Sequence, residues 1–206
     1  RANGGIAVYV RQDFVARSGC SVRLDSAGGV VWVHLARLNI MLAACYHSPR
    51  GSEVYNSGLL HPDPVQHLFD GVQRATRQGN KVIIMGDLNI RIGHMDRDLP
   101  AAAPPGLSGL EQLEDVQRVA HIHKTEAAQL MDGLQQAQMV VLNGRAPTPR
   151  QSAYLDHDSP SNSSLTYPRA NGGGSVVDLA CVSYELYSNV LSFEVLPYNH
   201  RLSQDH

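Results

Sequence analysis

The sequence predicts an α/β protein in which two β-sheets pack face to face, with helices on the outside. Three observations lead to this prediction. Segments with the strand pattern outnumber those with the helix pattern, the helices fall between groups of strands, and the segments 37–46 and 82–85 are apolar on both faces. With 206 residues the chain is long enough for one domain with a substantial core, so we predict a single domain over 1–206.

The composition is that of a folded protein without a strong charge. Hydrophobic residues make up 43% of the chain, charged residues 17%, and the formal net charge is -2, so bulk charge does not indicate nucleic acid binding. Cys20, Cys45 and Cys181 are odd in number and lack a C-x-x-C spacing, which argues against a disulfide framework and a zinc knuckle. The longest apolar run, 40–46, is too short to cross a bilayer. We therefore expect an intracellular protein, nuclear or cytoplasmic, that does not contact a membrane.

The predicted strands follow one another along most of the chain. They cover 4–10, 20–24, 30–35, 37–46, 82–85, 139–142, 165–167, 175–182 and 190–196. Three glycines at 172–174 predict that the strands 165–167 and 175–182 form a hairpin.

Two helices are predicted between these strands. Asp63 and Pro64 have the residue types of an N-cap and a first helical position, and Gly79 marks the end of the first helix. Its inward stripe consists of Val65, Leu68, Phe69 and Val72. The second helix covers about 125–138.

The segment 81–93 is the centre of the functional prediction. Its apolar strand ends at Gly86, and Asp87, Asn89 and Arg91 follow at alternate positions. On an extended backbone these three side chains would share one face, where a core strand leaves the sheet. Sites in α/β folds are commonly built at such an edge, although a plain polar turn fits the same pattern.

Other candidate residues lie far from this segment in the sequence. Tyr46 ends a predicted strand, where its hydroxyl group would either face solvent or donate a hydrogen bond to a ligand. Asp178 lies within an apolar strand, which is costly unless the carboxylate is paired. Asp205 and His206 are the last two residues. Each of these signals is weak alone, and their order along the chain gives them weight.

That order resembles the endonuclease/exonuclease/phosphatase superfamily, which has the DNase I-like fold. The segments that carry the resemblance are Gly-Asp-Leu-Asn at 86–89, Ser-Val-Val-Asp at 175–178 and Ser-Gln-Asp-His at 203–206. The segments 4–10, 46–49, 142–145 and 175–178 look most like the endonuclease domains of non-LTR retrotransposons. The resemblance implies a four-layer sandwich of two sheets flanked by helices, and Mg²⁺-dependent cleavage of DNA. It also implies a reverse transcriptase domain in the same polyprotein.

The resemblance assigns three residues to the water and the phosphate. Asp87 would orient or deprotonate the attacking water, and Asn89 would donate a hydrogen bond to the phosphate. Tyr46 would contact the phosphate or the leaving group. Phosphoryl transfer depends mainly on such positioning and on stabilising charge on the phosphoryl oxygens.

The remaining roles concern that charge and the metal. His206 would stabilise the phosphoryl oxygens, and Asp178 would fix its ring and favour the imidazolium form. Asp205 would help to hold Mg²⁺, or Mn²⁺ in its place, and Mg²⁺ takes only one or two carboxylates in such sites.

The sequence departs from the family pattern at both ends. In the family, a strand with an Asn and a strand ending in a metal-binding Glu precede the segment 4–10, and neither is found in this sequence. Gln204 also separates the Ser and Asp of the last motif. We therefore expect a domain truncated at its N-terminus, with a C-terminal truncation left open, that binds Mg²⁺ poorly and cuts DNA weakly in this form. The alternatives are a phosphatase or phosphodiesterase on the same fold and a catalytically incomplete remnant.

Overall fold

One mixed β-sheet of six strands organises the computed structural model of this chain, which describes residues 6–92, 124–143, 167–168, 174–175, 177–191 and 193. The sheet has the order β1-β2-β3-β4-β8-β5, and β6 pairs with β7 in a separate two-stranded sheet. The strands are β1 Cys20–Asp25, β2 Val30–Leu35, β3 Ile40–Tyr46, β4 Lys81–Asp87, β5 Met139–Val141, β6 Tyr167–Pro168, β7 Gly174–Ser175 and β8 Asp178–Ser183.

Three of the five described helices lie between strands along the chain, as the sequence predicts for an α/β protein, whereas the first precedes β1 and the last follows β8. They are α1 Gln12–Ser18, α2 Glu53–Asn56, α3 Pro64–Arg77, α4 Lys124–Gln136 and α5 Tyr184–Tyr187, and a 3₁₀ turn covers Ala36–Leu38. Within the described part of the chain, no helix combines the length and the apolar character needed to cross a bilayer.

The one parallel pair of the six-stranded sheet, β3 with β4, determines where the candidate site forms. The other neighbouring strands of this sheet are antiparallel. Parallel neighbours require a crossover connection, and here α3 supplies it between β3 and β4. The carboxyl ends of β3 and β4 therefore meet at the same edge of the sheet.

Helix α3 forms as the sequence predicts. The Asp63 side chain accepts a hydrogen bond from the Gln66 N–H at 2.9 Å, and Pro64 is the first helical residue. The predicted inward stripe is buried, and Gly71 lies against the ring of Trp32 in β2. The helix thus packs on one face of the sheet, where it shares a core with α4.

The opposite face of the six-stranded sheet carries two rows that are entirely apolar. Residues paired across the sheet project to the same side, so the strand register defines each row. One row is Leu24, Val31, Ala44, Met85 and Ala180, and the next is Val22, Val33, Leu42, Ile83, Val182 and Val140. The sheet is therefore apolar on both faces, as predicted for its central strands.

Several sequence predictions are wrong in detail. Residues 6–10 have no regular structure, and the unpredicted helix α1 follows them. The predicted strand 37–46 combines a turn with a strand, because Leu35 already pairs with Ile40 and residues 36–39 must reverse the chain. The predicted strand 175–182 is divided between β7, which forms the expected short hairpin with β6, and β8. Of the predicted last strand, residues 190, 191 and 193 are described and have no regular structure.

Candidate active site

The structure brings three of the predicted site residues into one row across the sheet. Tyr46 at the end of β3 pairs with Asp87 at the end of β4, and Asp87 pairs with Asp178 at the start of β8. All three side chains are half-buried. Because paired residues project to the same side of a sheet, one phenol and two carboxylates lie next to each other at this edge.

The two carboxylates of this row face each other across an antiparallel pair. The Cβ atoms of directly opposed residues are about 4.5 to 5.5 Å apart, and like charges at this separation repel. Asp178 is the first residue of β8, so its carboxylate lies at the edge of the sheet instead of in the middle of an apolar strand as predicted. Opposed carboxylates at the edge of a sheet are suited to binding a cation.

Asn89 holds the carboxylate of Asp87 in place. Its backbone N–H donates to Oδ1 of Asp87 at 2.8 Å, and its Nδ2 donates to Oδ2 at 3.0 Å. Nδ2 also donates to the carbonyl oxygen of His47 at 2.7 Å, so both amide hydrogens are engaged. Asn89 therefore fixes the orientation of Asp87, and its predicted contact with a phosphate stays a prediction.

The predicted common face of Asp87, Asn89 and Arg91 is wrong. The extended backbone ends at Asp87, and Asn89 has a left-handed φ of 50°. The hydrogen bonds between Asn89 and the Asp87 carboxylate stabilise this turn, which is a known property of Asn at such positions. Asn89 and Arg91 instead line a cleft on the helix side of the sheet.

Asn143 is a structural residue of the site whose role the sequence did not reveal. Its Oδ1 accepts a hydrogen bond from the Ala180 N–H at 2.9 Å, and its Nδ2 donates to the Asp178 carbonyl oxygen at 3.1 Å. The residue is buried and follows β5, which is too short to pair with the start of β8. The side chain thus continues the hydrogen bonding of β5 and fixes the backbone of Asp178.

We expect the substitution Asn143→Ala to lower the free energy of unfolding by about 2 kcal/mol, because it leaves the buried Ala180 N–H without this acceptor. Urea unfolding followed by circular dichroism measures the change. Asn56→Ala is the matched control, since Asn56 is exposed and donates one hydrogen bond to the Gly51 carbonyl oxygen, and its loss should cost under about 0.5 kcal/mol. Equal effects of the two substitutions would contradict the role of Asn143.

The other predicted residues lie outside the part of the chain that the structure describes. These are Asp205, the predicted metal ligand, and His206, the predicted partner of the phosphate and of Asp178. Among the described residues, no group of three or more His, Cys, Asp or Glu side chains is arranged to hold a metal ion. Asp87 and Asp178 offer the hard oxygen ligands that Mg²⁺ prefers, but by themselves they do not make a complete Mg²⁺ site.

A polar cleft of about 420 Å³ lies on the helix side of the sheet, with Asn89 in its lining. The segment after β3, the start of α3, the segment after β4 and α4 form its walls. His47 in this wall is only 4% exposed, and neither ring nitrogen has a hydrogen-bond partner among the described residues. Burial lowers the pKa of His47 to about 4, although the nearby carboxylate of Asp63 acts in the opposite direction.

The low pKa of His47 should make stability depend on pH. The unfolded chain takes up the proton near pH 6.5 and the folded protein only near pH 4, so stability falls as the pH decreases between these values. We expect His47→Phe to remove this loss. As the pH falls from 7 to 4, the free energy of unfolding of the variant minus that of the parent should therefore increase by roughly 2 to 3 kcal/mol. Urea unfolding at several pH values measures this difference, and a constant difference would contradict the prediction.

Comparisons with known proteins yield matches only among solved structures. No family model matches the chain, and no match is found among curated proteins. Among solved structures, a 3′-5′ exonuclease (NExo) from Neisseria meningitidis is similar, with a TM-score of 0.46 and 14% sequence identity. The alignment covers 82% of this chain and 59% of that exonuclease, so the chain spans less than two thirds of its length. Similarity at this level does not establish a shared activity.

Proposed function

We propose that this domain is a Mg²⁺-dependent endonuclease of the retroelement type, which hydrolyses phosphodiester bonds in DNA. The observation that carries the proposal is the row of Tyr46, Asp87 and Asp178 across three neighbouring strands. These residues come from three segments that are far apart in the sequence, and the resemblance assigns each of them to the same reaction. The proposed substrate is DNA, and the proposed partner is a reverse transcriptase domain of the same polyprotein.

The geometry of the row supports hydrolysis of a phosphodiester. Asp87 is held by two hydrogen bonds from Asn89, so its carboxylate is oriented before a substrate binds. A fixed carboxylate can orient the attacking water and accept its proton. The phenol of Tyr46 on the neighbouring strand is a hydrogen-bond donor for a phosphate oxygen or for the leaving oxygen.

Mg²⁺ belongs to the proposal because of the resemblance and because of the opposed carboxylates. When bound, it would supply charge stabilisation to the phosphate oxygens. Asp205 is the predicted ligand, and the described residues alone do not form a complete site for the ion.

The four-layer sandwich is also a proposal, supported by the apolar rows on the face opposite to α3. A sheet with one face in solvent alternates apolar and polar residues, and these rows contain only apolar residues. We infer that a second sheet covers them. Met85 is 47% exposed among the described residues, and a second sheet would cover it. Met85→Lys should then destabilise the domain by about 2 kcal/mol or more in urea unfolding, because the covering sheet would bury the charge. A neutral effect would mean that this face is open to solvent.

Plasmid nicking tests the proposed activity. The domain is prepared with the two upstream strands that the resemblance requires, and supercoiled DNA is incubated with it and Mg²⁺, with and without EDTA. We expect nicking that EDTA abolishes. Release of phosphate from small phosphoesters without nicking would identify a phosphatase, and the absence of both activities would identify a catalytically incomplete remnant.

A further inference from the structure

Strand β1 forms one edge of the six-stranded sheet, and its outer side is exposed. Among the described strands β2 is its only neighbour, and the side chains of Val22 and Leu24 are 61% and 76% exposed. All six residues of β1 pair with β2 in an uninterrupted register, and the strand contains no proline, lysine or bulge. Such features block the edges of natural sheets, so an edge without them is a template for another strand.

The opposite edge of the same sheet is protected. Its strand, β5, has only three residues, Met139–Val141, and all of them are fully buried. Side chains of α5 pack against Val140 in this strand. Because only one edge of the sheet is accessible in the described part of the chain, pairing through β1 joins two copies and does not continue into a filament.

The unpaired backbone groups of β1 belong to alternate residues. In an antiparallel pair, hydrogen-bonded residue pairs alternate with pairs that are not hydrogen-bonded. The Ala36 N–H donates to the Gly19 carbonyl oxygen at 3.2 Å, so Gly19 and every second residue after it form hydrogen bonds with β2. The residues between them direct their N–H and C=O groups away from the sheet, and these are Cys20, Val22 and Leu24. No described residue forms a hydrogen bond with these outward groups.

The charged side chains of β1 project to the helix side of the sheet. Arg23 pairs with Trp32 of β2, which lies against Gly71 of α3. The guanidinium carbon of Arg23 is 5.4 Å from the centroid of the Trp32 ring, and its Nη1 is 3.5 Å from Oδ2 of Asp25. A partner strand therefore meets one exposed cation on this side, and it must not oppose this cation with another.

We propose that β1 pairs with β1 of a second copy of this chain, antiparallel and centred on Val22. Positions 20, 22 and 24 are symmetric about Val22, so each of these residues exchanges its outward hydrogen bonds with a residue of the second copy. Ser21 then lies opposite Arg23 of the second copy. A register centred on Arg23 would instead oppose two like charges and leave Cys20 without a partner within the strand.

This pairing also continues the apolar face of the sheet. Val22 and Leu24 belong to the apolar rows on the face opposite α3. The two-fold axis is perpendicular to the sheet, so the apolar faces of the two copies lie on the same side and Leu24 packs beside Cys20 of the second copy. A second copy suits this edge because β1 itself carries the complementary pattern. The contact is confined to an edge, so the interface is small and the association weak.

Amide hydrogen exchange of the 206-residue chain at increasing protein concentration tests this inference. Sedimentation equilibrium from about 10 µM to about 1 mM, which spans weak association, should show the mass rising from 22.4 kDa toward twice this value. We expect the amides of Cys20, Val22 and Leu24 to exchange at least about fivefold more slowly as the dimer forms. The amides of Ser21 and Arg23, which already bond to β2, should change little. A monomer at all concentrations, or a dimer in which the outward amides stay unprotected, would overturn the inference.

Two substitutions at the exposed Ser21 test the register. Ser21→Asp places a carboxylate opposite Arg23 of the second copy, and Ser21→Lys places a second cation there. Relative to the uncharged control Ser21→Asn, the dissociation constant of the dimer should fall at least about threefold for Ser21→Asp and rise at least about threefold for Ser21→Lys. The reverse order would mean that Ser21 opposes Asp25, and equal constants would mean that the two strands do not pair. Either result would overturn the proposed pairing.

Discussion

Asp87→Ala should reduce the nicking rate of the domain at least about 100-fold. Asp87 is the central member of the row, paired with Tyr46 on one side and Asp178 on the other, and Asn89 already fixes its orientation. Removing one preorganised group that acts on the transition state costs about 3 kcal/mol, which corresponds to this factor. The substitution removes the proposed acceptor for the proton of the attacking water and leaves the backbone pairing of β4 in place.

The measurement is the initial nicking rate of supercoiled DNA with Mg²⁺ for the parent and each variant. Asp132→Ala is the matched control, because Asp132 is an exposed aspartate on α4, on the helix side of the sheet. It should cut at the parental rate. Thermal unfolding of both variants shows whether they fold. A folded Asp87→Ala protein that cuts as fast as the parent would mean that the site lies elsewhere.

Local patterns in the sequence were sufficient to predict most of the regular structure. The capping residues Asp63 and Pro64 determine where α3 begins, and continuous apolar residues mark β3 and β4. The fold class follows from this alternation of strands and helices. The register between β4 and β8 follows from contacts between distant segments, so the sequence indicates Asp87 and Asp178 separately but not their pairing.

The features that the sequence does not predict depend on single hydrogen bonds and on tertiary packing. The left-handed turn at Asn89 arises because its own amide binds the preceding carboxylate, which an alternating pattern does not anticipate. A polar residue after a short strand is usually read as a turn, and Asn143 becomes recognisable only once β8 lies beside it. His47 carries no sequence signal for burial, and it is buried in the wall of a cleft that residues of α3 and α4 also line.

Gly86 allows β3 and β4 to approach each other closely enough to form the row. It has a φ of 130°, a backbone conformation that residues with a side chain rarely adopt. A Cβ atom at this position would collide with the backbone carbonyl oxygen of Cys45 in β3. Backbone atoms of a central strand cannot move aside without disturbing the sheet, so the chain requires glycine immediately before Asp87.

Gly86→Ala should therefore lower the free energy of unfolding by roughly 3 to 5 kcal/mol, the sum of backbone strain and overpacking. Gly79→Ala separates the two effects, because Gly79 also has a positive φ, 81°, but a Cβ atom at this position would meet no other atom within 4 Å. It should cost only about 1 to 2 kcal/mol from strain. Urea unfolding of both variants measures the difference. Equal losses would mean that the contact with Cys45 is relieved without cost, and that the spacing of β3 and β4 does not depend on the glycine before Asp87.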